Sequence, residues 1–420
     1  MSAFDKVIGY ESIKNELIRF CDVLKNPDRY RKLGVTIPAG ILLEGEPGIG
    51  KTLMVNCFIE ESGCKSFTIR KGKPNGDFVN EICETFRRAK EEARAIVFLD
   101  DMDKYANEDE DHRDAEEYVA VQSCIDECKG SGVFVLATVN TRYCLPDSLI
   151  RVGRFDRVIE MLRPNGKDAR KIVEYYLGQK QVIGDIDMDM ISRLMEGYTC
   201  ATLETMVNEA GIYAGFDQRN KIEQNDLFKA YVRMILKVPE SEEEDDSIFT
   251  RSIAVHEAGH VVVGEVLDPG FLNAVALSTS SDYPRGITVV RTPPDYRDSL
   301  KRQRNEVIRK LGGRAATEAV FGTIDTGCYN DYNEAYHMVS RFVDDYCAYG
   351  FDSFKRHDSS EYLCQNKDRL MAQEMEKLYQ EAKRIIAEHR ELLDRITDEL
   401  VEKKTLTYKD IEVIWEKCSG

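Results

Sequence analysis

The 420-residue chain is longer than one ordinary domain, and 42% apolar residues are enough to build two or three hydrophobic cores. Its formal net charge of −17 argues against general nucleic-acid binding, which requires a basic face. Twelve cysteines without a CxxC pair, no signal-peptide core and no run of ~18 apolar residues together predict a cytoplasmic protein without a membrane span.

Short apolar runs alternate with helical patterns between residues 40 and 160, which is typical of an α/β domain. The runs predict strands at 40–45, 66–70, 95–101, 132–140 and 157–162. Continuous apolar character indicates a parallel sheet that is covered on both faces. We therefore predict an α/β domain with a parallel sheet over residues 1–165, including a helix at 77–93.

A glycine-rich segment, GEPGIGKT, follows the first predicted strand and precedes a predicted helix. It matches the phosphate-binding pattern GxxxxGK[ST], which works only as a turn between a strand and a helix. Glycines let successive backbone N–H groups and the helix dipole face phosphate oxygens. Lys51 is expected to reach the β- and γ-phosphates of a nucleotide, and the Thr52 hydroxyl is expected to bind Mg²⁺. A chance glycine turn is the alternative, and the flanking pattern disfavours it.

Two acidic residues, Asp100 and Asp101, end the predicted strand AIVFLDD. Asp100 is placed to hold the Mg²⁺ shell, and Asp101 stands where a carboxylate usually polarises the attacking water. Asn140 ends the strand GVFVLATVN, where its amide can orient water or the γ-phosphate. An ordinary strand end capped by acids is the weaker alternative once a phosphate-binding loop precedes it at this spacing.

Two arginines, Arg151 and Arg154, lie in the segment RVGRFDR. They are candidate arginine fingers that act on the nucleotide of a neighbouring subunit. Solvated surface arginines are the alternative. Their place after an ATPase pattern favours the finger interpretation, which in turn predicts an oligomeric ring.

The strand pattern ends near residue 165, and four helical segments predict a small all-α domain over residues 166–240. The segment PESEEEDDS is almost entirely acidic or serine, so residues 241–247 are predicted to be a solvated linker. Residues 248–420 form a third, mainly helical unit with a strand-like stretch near 271–291.

This third unit begins with AVHEAGHVVV, which fits the zinc-protease pattern H-E-x-x-H. On a helix, His256 and His260 are four residues apart and share a face, so both imidazoles can bind one Zn²⁺. Glu257 adjoins that face and can act as the general base on zinc-bound water. Two core histidines without a metal are the alternative, and the apolar flanks fit both interpretations.

Taken in order, these segments resemble the AAA+ ATPases and, among them, the FtsH-type zinc metalloproteases. The resemblance covers roughly residues 5–417 and rests on the motifs VIGYESIKNEL, IPAGILLEGEPGIGKT, LPDSLIRVGRFDR, MEGYTCATLETMVNEA and HEAGH. It implies ATP, Mg²⁺ and Zn²⁺ as cofactors, polypeptide substrates, and a homo-oligomeric ring with a hexamer favoured. It also implies that the nucleotide contacts are Ile8, Gly9, Gly45, Pro47, Gly48, Ile49, Gly50, Lys51, Thr52, Leu53, Asp100 and Asn140.

A catalytic zinc requires a third protein ligand and an open position. The resemblance implies an aspartate from a later helix, and the segment TGCYNDYNEAYHMV points to Asp331. The alternative ligands are Glu318, Asp325 and Glu334. The resemblance also implies that RGITVV (285–290) flanks the protease cleft, where an extended substrate can add as a strand.

The sequence departs from the family pattern at several places. Asp101 replaces the family's glutamate and is about 1.5 Å shorter, which predicts slower hydrolysis with ATP binding retained. The family's aromatic–hydrophobic–glycine pore loop is absent from RKGKPNGDF (70–78), and Phe78 is expected to pack at the start of the helix. Val152 replaces a proline, which is expected to be harmless, and the family's N-terminal membrane helices have no counterpart in the sequence.

We predict a multidomain, ATP-dependent zinc endopeptidase with Glu257 as its general base. The altered pore loop and Asp101 leave open a degenerate relative that binds ATP and remodels or scaffolds a partner, or that cleaves peptides without ATP. A third hypothesis is an assembly factor with a structural zinc, which four protein ligands on the metal would favour.

Overall fold

A computed structural model describes residues 2–72, 75–106, 115–180, 186–236, 248–277, 286–291, 299–324, 326–351 and 360–419. The chain forms two compact units, Met1–Glu223 and Gln224–Gly420. The predicted linker at 241–247 lies outside the described residues, and the domain limits given above stay predictions. None of the described helices combines the length and the apolar character that crossing a membrane requires.

The first unit contains a five-stranded sheet in which every adjacent pair of strands is parallel, in the order β2-β3-β4-β1-β5. Its strands are β1 (Gly40–Glu44), β2 (Lys65–Ile69), β3 (Ala95–Leu99), β4 (Val133–Val139) and β5 (Arg157–Glu160). Five helices accompany them: α1 (Glu11–Lys25), α2 (Pro27–Lys32), α3 (Lys51–Ser62), α4 (Asn75–Lys90) and α5 (Ala115–Glu127). The predicted α/β domain with a parallel sheet is confirmed.

Both faces of this sheet are covered, because successive residues along a strand point to opposite sides. On one face Leu42 and Val97 pack in a core with Phe78 and Phe86 of α4. The other face forms a separate core with residues of α1 and α3, including Leu17, Met54 and Phe58. The strands are apolar throughout because both of their sides are buried, as expected for a parallel sheet.

The helices of the first unit that follow β5 are α6 (Gly166–Gly178), α7 (Met188–Leu194) and α8 (Cys200–Phe216), in the region predicted to be helical. Side-chain caps fix where each of these helices begins. Asn165 accepts from two backbone N–H groups of α6, Asp187 accepts from the Met190 N–H, and Thr199 accepts from the Thr202 N–H.

The second unit is mainly helical, with a small antiparallel sheet in the order β7-β6-β8. Its helices are α9 (Gln224–Met234), α10 (Ile248–Leu267), α11 (Leu300–Phe321), α12 (Tyr329–Asp344), α13 (Glu361–Glu388), α14 (Arg390–Lys403) and α15 (Tyr408–Ser419). Its strands are β6 (Leu272–Leu277), β7 (Gly286–Val290) and β8 (Thr405–Thr407). The strand-like stretch predicted near 271–291 contains β6 and β7, whereas β8 was not predicted.

Helix α10 lies in the core of the second unit and packs with α11, α13 and α14 around it. Its closest neighbour is α11, and the two helices approach each other at Gly259 and Gly312. A Cβ atom on Gly312 would lie 2.6 Å from the carbonyl oxygen of Gly259, so the backbones approach too closely for any side chain there. This crossing brings α11 against the face of α10 that carries the two histidines.

Candidate metal centre and nucleotide-binding site

Three side chains meet where α10 faces α12. His256 Nε2 lies 3.0 Å from His260 Nε2 and 3.1 Å from Asp331 Oδ2, and His260 Nε2 lies 3.4 Å from Asp331 Oδ2. A tetrahedral zinc with bonds of about 2.0–2.1 Å needs ligand atoms about 3.3 Å apart. The three atoms therefore fit Zn²⁺, and they form the metal-competent group found among the described residues.

The alternative third ligands are engaged elsewhere. Glu318 accepts hydrogen bonds from Tyr379 and from Lys383, the latter at 2.8 Å. Glu334 is ion-paired with Lys310. Asp325 lies outside the described residues. Among the described carboxylates the geometry thus favours Asp331 as the third ligand.

Backbone and thiol contacts orient both histidine rings. His260 Nδ1 lies 2.8 Å from the carbonyl oxygen of Arg309, which can only accept, so Nδ1 carries the proton and Nε2 is left for a metal. His256 Nδ1 lies 3.8 Å from the Sγ atom of buried Cys328. Gly313 makes room for this ring, since a Cβ atom there would lie 2.5–2.7 Å from three of its atoms. Sequence reasoning did not identify Arg309 or Gly313, because a backbone carbonyl and an absent side chain leave no motif. It also did not identify Cys328, because a single cysteine has no local signature.

The electrostatic environment of this group favours a cation. Burial lowers the pKa of His256, but the bonds to Asp331 and Cys328 and the charge of Glu257 outweigh burial and raise that pKa to about 10. Burial raises the pKa of Asp331, but its hydrogen bonds to His256 and His260 reverse the effect and hold it well below its usual range. A half-buried carboxylate that stays ionised beside two imidazoles is a suitable ligand set for Zn²⁺.

Glu257, the glutamate of the motif, directly follows His256 in the chain and is buried, with 7% of its surface exposed. Glu257 Oε2 accepts a 2.6 Å hydrogen bond from the Thr288 hydroxyl of β7. Strand β7 lies at the edge of its sheet, and most of it is half-buried. The Glu257 carboxylate is thus held by a strand that is the outer strand of its sheet among the described residues, a position at which an extended chain can pair.

In the first unit, the phosphate-binding loop connects β1 to α3 at the carboxyl edge of the sheet. Gly48 and Gly50 have φ angles of 82° and 95°, a backbone conformation that favours glycine. Lys51 Nζ donates to the carbonyl of Gly45 at 2.5 Å and to Asn140 Oδ1 at 3.0 Å. Burial lowers the pKa of Lys51, although nearby aspartates oppose this effect. The loop thus holds a buried lysine next to Asn140, and contact of Lys51 with phosphate stays a prediction.

The acids at the end of β3 occupy different environments. Asp100 is 1% exposed, and its Oδ1 accepts from Thr138 at 3.1 Å and lies 3.5 Å from the Thr52 hydroxyl. Asp101 has a left-handed backbone with φ 49°, and Lys104 Nζ lies 2.6 Å from its carboxylate. Because Lys51 bonds to Asn140 and Thr52 lies close to Asp100, the structure brings these four predicted site residues together.

The other nucleotide-site predictions fall in the same region. The Ala201 N–H at the start of α8 donates to the Gly48 carbonyl at 2.9 Å, so the tip of the phosphate loop contacts α8. The segment containing Ile8 and Gly9 leads into α1, and Tyr10 donates to the Leu162 carbonyl at 2.9 Å. Pro47 and Leu53 are exposed, whereas the Ile49 side chain is 1% exposed and belongs to the core. Contact of Ile49 with a nucleotide would therefore involve its backbone.

The two candidate arginine fingers differ in exposure. Arg154 is 5% exposed, its guanidinium pairs with Asp126 at 2.6 Å, and it also donates to the Ser148 carbonyl. This pairing holds the pKa of Asp126 well below its usual range. Arg151 is exposed. The burial of Arg154 favours a role within its own chain, and Arg151 remains the better candidate finger.

Comparison with known proteins follows the order of these features along the chain. Residues 41–163 match the ATPase family associated with various cellular activities (AAA), residues 185–229 match the AAA+ lid domain, and residues 247–414 match Peptidase family M41. The chain is 30% identical to the ATP-dependent zinc metalloprotease FtsH 3 of Symbiobacterium thermophilum, over 99% of this chain and 71% of that protein. The chain belongs to the FtsH family.

Further FtsH relatives agree over a similar extent. Identity is 28% to the ATP-dependent zinc metalloprotease FtsH 2 of Thermoanaerobacter sp., with 99% of this chain and 83% of the relative covered. Identity is also 28% to the ATP-dependent zinc metalloprotease FtsH of Thermus thermophilus, with 98% of this chain and 70% of the relative covered. The resemblance predicted from the motifs is thus confirmed, and these relatives give no support to the degenerate alternative.

This FtsH-family chain keeps the predicted departure at the pore-loop position. Phe78 is fully buried in α4 and packs edge-on against Tyr105 with ring centroids 5.0 Å apart, as expected. The basic residues before it, Arg70 and Lys71, instead form ion pairs with Asp100 and Glu117. Neither of these ion pairs was predicted from the sequence, because each joins residues that are far apart in the chain.

Proposed function

We propose that this FtsH-family protein is an ATP-dependent zinc endopeptidase that cleaves polypeptides and works as a homo-oligomeric ring, with a hexamer favoured. The observation that carries the proposal is the placement of Glu257 beside a metal-competent group of His256, His260 and Asp331. Three ligands leave an open coordination position, which is the arrangement of catalytic rather than structural zinc. The structural-zinc alternative is therefore disfavoured.

Peptide cleavage follows from the groups around that centre. His256, His260 and Asp331 would hold Zn²⁺, which supplies a Lewis acid for the scissile carbonyl and for a water nucleophile. Glu257 takes the proton from that water and passes it to the leaving amine. Thr288 holds the Glu257 carboxylate through its hydroxyl. Strand β7, the outer strand of its sheet among the described residues, aligns an extended substrate by backbone hydrogen bonds.

The ATPase half uses the carboxyl edge of the parallel sheet. Lys51 binds the β- and γ-phosphates, and Thr52 and Asp100 complete the Mg²⁺ shell. Asp101 orients the attacking water, and Arg151 reaches the nucleotide of a neighbouring subunit in the ring. The site fits these roles because Lys51 is buried and Thr52 lies 3.5 Å from Asp100.

The proposal is tested by degradation of casein with Zn²⁺, with and without ATP. Glu257→Gln is expected to keep zinc and to lose cleavage by a factor of at least ~10² because the general base is gone. Asp331→Asn is expected to lose zinc, whereas Glu334→Gln, a matched change on the same helix, is expected to behave as the wild type. Cleavage by Glu257→Gln at the wild-type rate would refute the site.

The same assay tests the coupling of ATP to proteolysis. Lys51→Ala is expected to abolish nucleotide binding and ATP-stimulated degradation. Degradation of casein that is unaffected by Lys51→Ala would show a peptidase whose ATPase serves another purpose. The segment 70–78, which lacks the family's pore tripeptide, makes this comparison informative.

A further inference from the structure

A single exposed arginine covers the buried aspartate of the nucleotide site. Arg70 Nε donates to Asp100 Oδ2 at 2.8 Å, and a second guanidinium nitrogen donates to the same oxygen. The Asp100 side chain is 1% exposed, whereas that of Arg70 is 69% exposed. The other carboxylate oxygen of Asp100 faces Thr138 and Thr52. Arg70 is therefore the cation that hydrogen-bonds this buried carboxylate, and the charge of Lys51 also acts on it.

Arg70 and a divalent cation compete for Asp100 through their charges. Arg70 uses Oδ2, and an ion next to Thr52 would bind Oδ1 of the same carboxylate, so two cations would lie a few ångströms apart and repel each other where solvent is limited. Breaking the ion pair costs its two members different amounts of free energy. Asp100 is buried and needs a cation beside it, whereas the Arg70 guanidinium is already mostly in water and loses little on leaving. Mg²⁺ can therefore take the place of Arg70 as the cation that neutralises Asp100.

The position of Arg70 links this exchange to a segment beyond the site. Arg70 directly follows β2, and the next residue, Lys71, lies 3.6 Å from the carboxylate of Glu117, which is fully buried on α5. Two consecutive residues thus anchor the chain after β2 to two different carboxylates. Release of Arg70 removes one anchor and leaves the other.

We propose that Arg70 is an electrostatic latch that competes with Mg²⁺ for Asp100 and is released when Mg²⁺ and nucleotide bind. Release frees the chain at residues 70–72, which stand where the family's pore loop begins. The inference rests on the proposed role of Asp100 as a magnesium ligand. Binding of Mg²⁺ and nucleotide would thereby change how tightly the start of the basic segment, residues 70–72, is held.

The test measures the free Mg²⁺ concentration that half-saturates binding of a fluorescent, non-hydrolysable ATP analogue. Arg70→Ala and Arg70→Gln are expected to lower that concentration about fivefold to tenfold, because the competing charge-assisted hydrogen bonds are gone. Arg87→Ala is the matched control, since Arg87 is 61% exposed and is paired with Glu84 on the surface of α4. Its Mg²⁺ requirement is expected to equal that of the wild type.

An unchanged or increased Mg²⁺ requirement in both Arg70 variants, with wild-type melting temperatures, would overturn the latch. Asp100→Asn separates this outcome from failure of the proposed site. If Asp100→Asn does not raise the Mg²⁺ requirement, Asp100 is not a magnesium ligand and the proposed function of the site is wrong. If it raises the requirement while the Arg70 variants do not lower it, only the latch is wrong.

Amide hydrogen exchange gives a second readout that does not depend on catalysis. Addition of Mg²⁺ with the analogue is expected to speed exchange at residues 70–72 of the wild type. In Arg70→Ala, exchange there is expected to be fast already and insensitive to Mg²⁺. Wild-type exchange that Mg²⁺ and the analogue leave unchanged would refute the coupling.

Discussion

Gly313 provides a severe test of the candidate metal centre, because it contacts the proposed ligand His256 and is not itself a ligand. In Gly313→Ala the new methyl group would lie 2.5 Å from Cε1, 2.6 Å from Nδ1 and 2.7 Å from Nε2 of His256. Comfortable contact between such atoms needs at least ~3.5 Å, so the ring or the helix has to move by about 1 Å. Zinc–ligand distances tolerate only about 0.2 Å, so the shift exceeds the tolerance several times.

We expect the zinc affinity of Gly313→Ala to fall at least ~100-fold, or about 2.7 kcal/mol, because loss of ring alignment costs 10–100-fold even without loss of a ligand. The assay is equilibrium dialysis against zinc buffered with a chelator, followed by elemental analysis. If α11 moves away instead of the ring, the strain appears as a loss of stability of about 1–3 kcal/mol, which thermal unfolding would detect.

Gly215→Ala is the matched control, since Gly215 lies in α8 and a Cβ atom there meets no neighbour within 4 Å. Its zinc content and melting temperature are expected to stay at or slightly above the wild-type values. Wild-type zinc affinity together with an unchanged melting temperature in Gly313→Ala would refute the close packing of α11 against the metal centre.

Three further predictions concern other contacts. Thr288→Val removes the donor to Glu257 while keeping its shape, so casein cleavage should fall about tenfold with zinc content unchanged; wild-type cleavage would show that the base needs no such partner. Arg154→Ala removes a buried guanidinium from an ion pair with the half-exposed Asp126 and should lower stability by about 1–2 kcal/mol in urea unfolding, whereas an unshifted midpoint would contradict its structural role. Hydrogen bonds from Lys25, from the Ala3 N–H and from Ser2 lower the pKa of Glu61 from 4.5 to about 2. Its stabilising effect is therefore complete above pH 4.5 and is lost as the pH falls towards 2, so the stability difference between the wild type and Glu61→Gln should shrink over that range.

Much of the first unit was predictable because its residues obey one strong constraint. Strands buried on both faces are apolar throughout, and β1 and β3 begin at the residues where their apolar runs begin. The phosphate loop, Asp100 and Asn140 come together for the same reason, since parallel strands end at one edge of the sheet. Strand β8 was missed because three residues, Thr405–Thr407, are too few to show a period.

The long-range contacts of the site residues could not be predicted from sequence patterns. Asp331 could be named only through the family resemblance, because a lone aspartate has no local signature. The burial of Arg154 depends on Asp126, which is 28 positions away. The Arg70 contact with Asp100 joins the ends of neighbouring strands, and the sequence gives no sign that an exposed arginine has a buried partner.

The proposed zinc ligands come from two helices, and His256 and Asp331 are 75 positions apart in the chain. A metal held by both would bind the folded unit and not the unfolded chain. By mass action it would add about 4 kcal/mol at a free zinc concentration 1,000 times its dissociation constant. Starvation for zinc would then weaken the second unit as a whole, while the first unit, stabilised by nucleotide, would stay folded. A metal-starved molecule would therefore become vulnerable to degradation itself, and the abundance of the protein would follow the supply of its metal.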